Sequence, residues 1–380
     1  MSMSVIKHID VFPLRLPMIR GFAFASGSAG CAGDTAPHVL VRVTDDAGHV
    51  GWGEGRPVPG WSYETLESVT TTLRVYLAPA ALGCEIHDRV GWHQRMHAAL
   101  GRGPSTGQPI AKAALDMAGH DLAAQAMGLP LRAYLGGAGL VRPMPLSYTV
   151  TAHETDSAAD EVAAARGAGF AHFNFKVAMG GPDAALARAI RRAAGADAFI
   201  WADANQDYTL PQARRAAAAL ADAGVDVLEQ PLPADRMNLM RQLRPGTALP
   251  LAIDEASVSP ADFFGYAAEG LVDYLVLKVT RSGGLGPSLQ QIMIAEAAGL
   301  KFLVSGLTDG LLTKLAALQL AAVFGYAGPA ALNGSQFTDE SALFPGKAQL
   351  ERGGAVLLPS VPGVGVAPES VALDRFRCDV

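Results

Sequence analysis

Three carboxylates, Asp203, Glu229 and Asp254, stand at near-equal spacing along the middle of the chain, and a lysine brackets them on each side, Lys176 and Lys278. Each of the five closes a short apolar run: HFNFK, AFIWAD, VDVLE, PLAID and DYLVLK. A charge at the end of a buried strand is costly unless it is partnered. Three neighbouring carboxylates repel one another unless something positive sits between them, and a hard cation with oxygen ligands supplies that. Mg²⁺ suits such a site because it takes octahedral oxygen coordination and keeps positions for water or substrate; Mn²⁺ is a close substitute. The plainer alternative is that each acid caps a following helix or pairs with a lysine.

The lysines add acid–base chemistry. An amine is a base only when its pKa is lowered, and desolvation beside a cation does that. A substrate carboxylate on the metal would present its α-proton to Lys176 or Lys278, and the metal would stabilise the enediolate. Two readings compete with this one. The lysines could form ordinary salt bridges to the same acids, or Lys278 could form a Schiff base in a metal-free aldolase.

The elements that must position these residues follow from the texture of the chain. From about residue 144, short apolar runs alternate with Ala-rich helical patterns such as DSAADEVAAARGAG and TLPQARRAAAALADAG. The runs end near residues 148, 176, 203, 229, 254, 278, 305 and 333, about 24 to 28 residues apart. Repeated βα units with continuous apolar strands predict a parallel sheet covered by helices. Eight units at a steady period predict an α/β fold of the TIM-barrel type, whose functional residues lie at the C-terminal ends of the strands. The eighth run, AALNG, is the least clear. An open doubly wound sheet is the alternative.

The first 140 residues read as a smaller α+β domain. VIKHIDVFPLRL alternates like a strand, and TAPHVLVRVTDDAGHVGWGE reads as a hairpin. In IAKAALDMAGHDLAAQAMG the apolar residues fall on one helical face, with Gly128 as a stop and LGG (Leu135 to Gly137) as a boundary. After residue 340 the pattern dissolves into Gly/Pro-rich coil and short strands, and this tail is expected to return to the N-terminal domain. The organisation expected is a smaller domain over 1–140, completed by 341–380, and a barrel over 141–340.

Composition excludes several partners. The 380 residues carry a net charge of −6 and no basic run, so nothing favours nucleic acid or an anionic membrane. No segment reaches about 18 consecutive apolar residues, the length of a membrane span, and the N-terminus lacks a signal-peptide core. Cys31, Cys84 and Cys378 are scattered and odd in number, as expected for free thiols in a reducing cytoplasm.

Taken together, GWGEGRPV, AKAALDMAGHDLAAQAMGLPLRAYLGG, DANQDY, LEQPL, IDEA, LKVTRSGG and PGVGV resemble the enolase superfamily, and within it the muconate-lactonizing subgroup, over nearly the whole chain. That superfamily uses a Lys or His base with Mg²⁺. The resemblance implies a modified barrel under an α+β cap, with Asp203, Glu229 and Asp254 as metal ligands and Lys176 and Lys278 at the acid/base positions. It makes Asn205 similar to a residue behind the metal, and it aligns Asp309 with an acid after the seventh strand. The absence of a histidine there separates the chain from the mandelate racemase subgroup. Asn174 stands where the family has the first lysine of Lys-x-Lys; a neutral amide there could bond the substrate carboxylate. The implied reaction is proton abstraction α to a carboxylate, giving racemisation or epimerisation of an amino-acid derivative, or a muconate cycloisomerase-like ring closure. A dehydratase is the alternative. The implied partners are a small-molecule carboxylate and further copies of the chain in a homo-oligomer.

Substrate contacts are expected from Asn174, Asn205, Ser305, Asp309 and Asn333, with Phe22 and Trp61 forming part of a lid whose loops also carry Phe24 and Tyr63. His93 and His97 have metal spacing on a helix but read as surface or packing residues. SGGLGPS, from Ser282, lacks the full GxGxxG and could instead contact a phosphate or a carboxylate.

Overall fold

In the computed structural model, residues 4–101, 106–137 and 142–380 are described. The alternation near the N-terminus becomes β1 (Ile6–Pro17), and a short excursion, β2 (Ala23–Phe24) with β3 (Gly27–Ser28), leads into the expected hairpin of β4 (Thr35–Asp45) and β5 (Val50–Gly55). These form an antiparallel sheet in the order β1-β4-β5, with Val11 opposite Val41. The helix Pro109–Ala126 packs on it unusually closely, and the glycines of GWGEG are the reason. A Cβ on Gly53 would lie 2.0 Å from the Ala114 carbonyl oxygen, and one on Gly51 would lie 2.2 Å from that of Ala118. Alternation then turns Glu54 and Arg56 to the opposite face, towards the second domain. The expected boundary at residue 140 falls within 138–141, outside the described residues.

The second domain begins with β6 (Met144–Pro145) and β7 (Ser147–Val150). Six further strands follow: β8 (His172–Lys176), β9 (Ile200–Asp203), β10 (Val227–Glu229), β11 (Leu251–Ile253), β12 (Tyr274–Leu277) and β13 (Lys301–Val304). The strands from β7 to β13 form one parallel sheet in sequence order, each followed by a helix. The eighth run is reduced to two isolated parallel bridges, Ala330 with Leu146 and Ala331 with Ser305. Pro329 offers no N–H before it, and a 3₁₀ turn at Gly334–Gln336 ends it after two residues. Those bridges still tie β13 to β7, so the sheet curls into a modified barrel. No standard helix follows the eighth run.

The tail touches both domains. β14 (Glu351–Arg352) and β15 (Ala355–Val356) form a small sheet with β6, whereas the helix Ser370–Phe376 packs on β1 and Arg377 bridges Leu14. Inside the barrel, Trp201, Val227, Ala252, Val276, Leu303 and Ala331 make a separate apolar layer. Among the described residues no helix is long and apolar enough to cross a membrane, and all three cysteines are free.

Candidate active site

The apolar layer dictates what lies above it. Side chains two residues apart on a strand share a face. Two residues beyond Trp201, Val227, Ala252 and Val276 come Asp203, Glu229, Asp254 and Lys278, and two beyond Leu303 and Ala331 come Ser305 and Asn333. All therefore point into the mouth of the barrel. Lys176 joins them from β8, in register with Asp203 of β9. β8 and β12 are four strands apart in a ring of eight, so Lys176 and Lys278 approach from opposite sides, with the three carboxylates on the strands between them.

All five side chains are buried. Lys176 Nζ lies 2.6 Å from Asp203 Oδ2, and Lys278 Nζ lies 2.6 Å from Asp254 Oδ2 and 3.9 Å from Glu229 Oε1. Burial and the charge of Asp203 push the Glu229 carboxyl well above the ordinary range, even against the pull of Lys278. Burial pushes Asp254 up too, but Arg281 and Lys278 outweigh it and hold this acid below the ordinary range. Burial pulls Lys278 down, but the acids around it, Asp254 first and then Glu229 and Glu255, together outweigh that, so its pKa is raised.

Two residues here were not anticipated. Arg281 lies one helical turn beyond Lys278, with its Nε 3.4 Å from Asp254 Oδ1. Glu255 follows Asp254 and is buried; burial and the neighbouring Asp254 push its carboxyl up to about 7. The available signals were the i+3 spacing from Lys278 and the second acid in IDEA, but neither shows which way a loop turns.

Among the described residues, no group of three His, Cys, Asp or Glu side chains is placed to hold a metal ion, and the lysine ammoniums lie on Asp203 and Asp254. Glu229 Oε1 and Asp254 Oδ1 are nonetheless buried without a hydrogen-bond partner. Buried carboxylate oxygens with spare lone pairs beside a third acid are the donor set a hard divalent cation takes, so the residues fit one.

A small cleft over these groups is lined by five of the seven expected substrate residues, Phe22, Trp61, Asn174, Ser305 and Asn333, and also by Thr149. Asn174 is held by its neighbours: its Oδ1 accepts from Ser147 Oγ at 3.0 Å, and its Nδ2 donates to Thr149 Oγ1 at 3.0 Å. Asn333 Nδ2 also donates to Thr149 Oγ1. Asn205 is one layer back, with its N–H on Asp203 Oδ1 at 2.9 Å and its Nδ2 on Glu255 Oε1 at 3.0 Å. Asp309 does not line the cleft. It is buried at the cap junction, accepting from Leu307 N at 2.8 Å, and burial with the nearby Glu54 pushes it up to about 7.

Phe22, Phe24, Trp61 and Phe337 form an aromatic cluster beside the cleft. The Trp61 ring centroid lies 5.2 Å from Lys176 Nζ and 5.5 Å from Lys278 Nζ, so the indole packs against both amines. Tyr63 is exposed and outside this cluster. His93 pairs with Asp116 in the cap, away from the carboxylates. Within SGGLGPS, the amides of Leu285 and Gly286 donate to that same Asp116.

Comparison with known proteins agrees with this layout. The family described as Mandelate racemase / muconate lactonizing enzyme, N-terminal domain matches residues 18–136, and the one described as Enolase C-terminal domain-like matches 157–372. Muconate cycloisomerase 1 of Rhodococcus opacus is 30% identical over 306 residues, 78% of each chain. The L-Ala-D/L-Glu epimerase of Bacillus subtilis is 29% identical over 374 residues, 96% of this chain and 97% of that one. A dipeptide epimerase from Cytophaga hutchinsonii, solved with Mg and the dipeptide D-Ala-L-Val, superimposes with a TM-score of 0.88 at 24% identity over 98% of both chains.

Proposed function

This chain belongs to the mandelate racemase/muconate lactonizing enzyme family of the enolase superfamily, and from that premise we propose that it is an isomerase moving a proton α to a carboxylate. The outcome is racemisation or epimerisation of an amino-acid derivative, or cycloisomerisation. Relatives of both kinds match the chain. The observation that carries the reading is the pair of buried lysines facing each other across three carboxylates. Asp203, Glu229 and Asp254 would hold Mg²⁺, or Mn²⁺ in its place, which when bound would supply positive charge for the substrate carboxylate and so lower the barrier to losing its α-proton. Lys176 and Lys278 then act from opposite faces, one taking the proton and the other returning it. The aromatic lid excludes water, which strengthens every charge interaction beneath it. Arg281 keeps Asp254 ionised, and Asn205 orients Asp203 through its amide.

The Schiff-base reading is the weaker one, because it gives no role to the buried carboxylates of Asp203 and Glu229, and the relatives that match the chain are isomerases. The division into a cap of 1–140 with 341–380 and a barrel of 141–340 belongs to the same proposal, as do cytoplasmic location and homo-oligomeric assembly, which light scattering tests. The function is tested by incubating dipeptides, N-acylated amino acids and muconate with the chain and Mg²⁺ in D₂O. Deuterium at the α-carbon of recovered substrate supports α-proton transfer, and a lactone from muconate supports ring closure. A keto or imino product would point to β-elimination instead, and full exchange in EDTA would remove the metal from the scheme.

A further inference from the structure

The cap helix Pro109–Ala126 carries a carboxylate that reaches out of its own domain. Asp116 is fully buried, and its Oδ2 accepts from Leu285 N at 2.5 Å and Gly286 N at 3.3 Å. Those are the first two amides of the barrel helix Leu285–Ala297. Amides at a helix start have no partner within the helix, and a carboxylate there satisfies them and opposes the helix dipole. Asp116 is held in turn within the cap, with His93 Nε2 at 2.6 Å from Oδ1 and His120 Nδ1 at 3.4 Å from Oδ2.

The anchored helix begins seven residues after Lys278, and the connection has no slack. It consists of one helical turn, Val279–Ser282, then Gly283 at φ 88° and Gly284 at φ 118°. A Cβ on Gly284 would lie 2.2 Å from Asp116 Oδ2, so the close approach itself demands glycine. At its other end the turn is tied into the barrel. Lys278 and Arg281 lie on Asp254, Ser282 Oγ donates to Gln291 Oε1 at 2.8 Å, and Gln291 Nε2 donates to Ser257 Oγ at 3.1 Å. The equivalent segment after Lys176 is tied within the barrel alone: Asp183 accepts from Ala178 N at 3.2 Å and from Tyr208 Oη at 2.5 Å.

We infer that Asp116 is a positioning residue by which the cap holds the turn carrying Lys278 and Arg281, and that it leaves Lys176 alone. The inference rests on the proposed role of Lys278 for its catalytic consequence, but its structural half stands without that role.

The two halves are tested separately on the full chain. Amide hydrogen exchange read by mass spectrometry should rise about tenfold or more over 279–286 in D116A, while peptides over 172–176 stay within about twofold of wild type. D116N keeps an acceptor oxygen but gives up the charge, and should raise exchange over 279–286 by about threefold, which guards against D116A failing to fold. Unchanged exchange over 279–286, or an equal rise over both segments, overturns the assignment. With a substrate that exchanges its α-proton, D116A should slow exchange of one antipode at least about tenfold more than the other. Equal slowing of both antipodes overturns the selective role. If the wild type exchanges no carboxylate, the functional reading falls, and amide exchange still decides whether the cap positions this turn.

Discussion

Replacing Lys278 by methionine keeps most of the stem and removes the ammonium, and its consequences can be sized from the contacts. The lost group sits 2.6 Å from Asp254 and 3.9 Å from Glu229, and its side chain is 2% exposed. Breaking a buried ion pair typically costs about 3–5 kcal/mol because the remaining charge is stranded. Here Arg281 stays 3.4 Å from the other oxygen of Asp254, with its Nε and one terminal nitrogen free of hydrogen bonds. The structural cost should therefore fall at or just below the bottom of that range, about 2–3 kcal/mol, read from urea unfolding. The chemical cost is larger. Losing a positioned acid or base costs about 10²–10⁴-fold, roughly 2.7–5.4 kcal/mol at 1.36 per decade. Two-base chemistry makes that loss asymmetric. K278M should stop epimerisation yet leave α-proton exchange of the one antipode that Lys176 deprotonates, and K176M should leave exchange of the other. Proton NMR in D₂O, started from each pure antipode with Mg²⁺, reads both rates. Epimerisation above about 1% of wild type in either variant would refute the two-base scheme. Loss of exchange for both antipodes in both folded variants would make the lysines structural partners of Asp203 and Asp254.

Other perturbations probe the surroundings. W61A removes the ring that packs against both amines and opens the lid, so kcat/KM should fall at least about tenfold while the melting transition stays cooperative; an unchanged kcat/KM would detach the lid from the site. Asp121 accepts from Trp52 N at 2.7 Å and Val364 N at 2.6 Å, and burial pushes its carboxyl up to about 7 from an ordinary 3.8. Between those values the folded chain holds a proton that the unfolded chain has released. Its contribution is thus complete below pH 3.8 and is lost as pH rises through 7, by at most about 4 kcal/mol. D121N should flatten that slope in unfolding measured from pH 5 to 8, and parallel slopes for the two proteins would contradict it. G53A drives a Cβ to 2.0 Å from a helix carbonyl and should cost about 3 kcal/mol or more, whereas G48A, in open space at φ 88°, should cost about 1. Equal costs would argue against the close packing of sheet on helix.

Much of the site was legible because two local periods repeat along the chain. The βα repeat sets where strands end, and the pleat sets which residues face the barrel axis. Asp203, Glu229, Asp254, Lys176 and Lys278 could therefore be grouped before any coordinates were known. So could Ser305 and Asn333, and the missing lysine at Asn174 was visible in the same way. Local period says nothing about which distant segments meet. Asp116 and Leu285 are 169 residues apart, and their contact turned an apparent anion loop into a joint between domains. The same holds for Trp61, brought against both amines by a cap loop, and for Asp309, drawn into the cap junction instead of the cleft. Glu255 and Arg281 entered the site because the chain turns inward after a strand ends, where alternation stops operating. Charge balance was also settled in three dimensions. The direction of the Lys278 pKa depends on whether burial or the surrounding acids dominate, and that is a matter of distances, such as 2.6 Å to Asp254, that no spacing in the chain encodes.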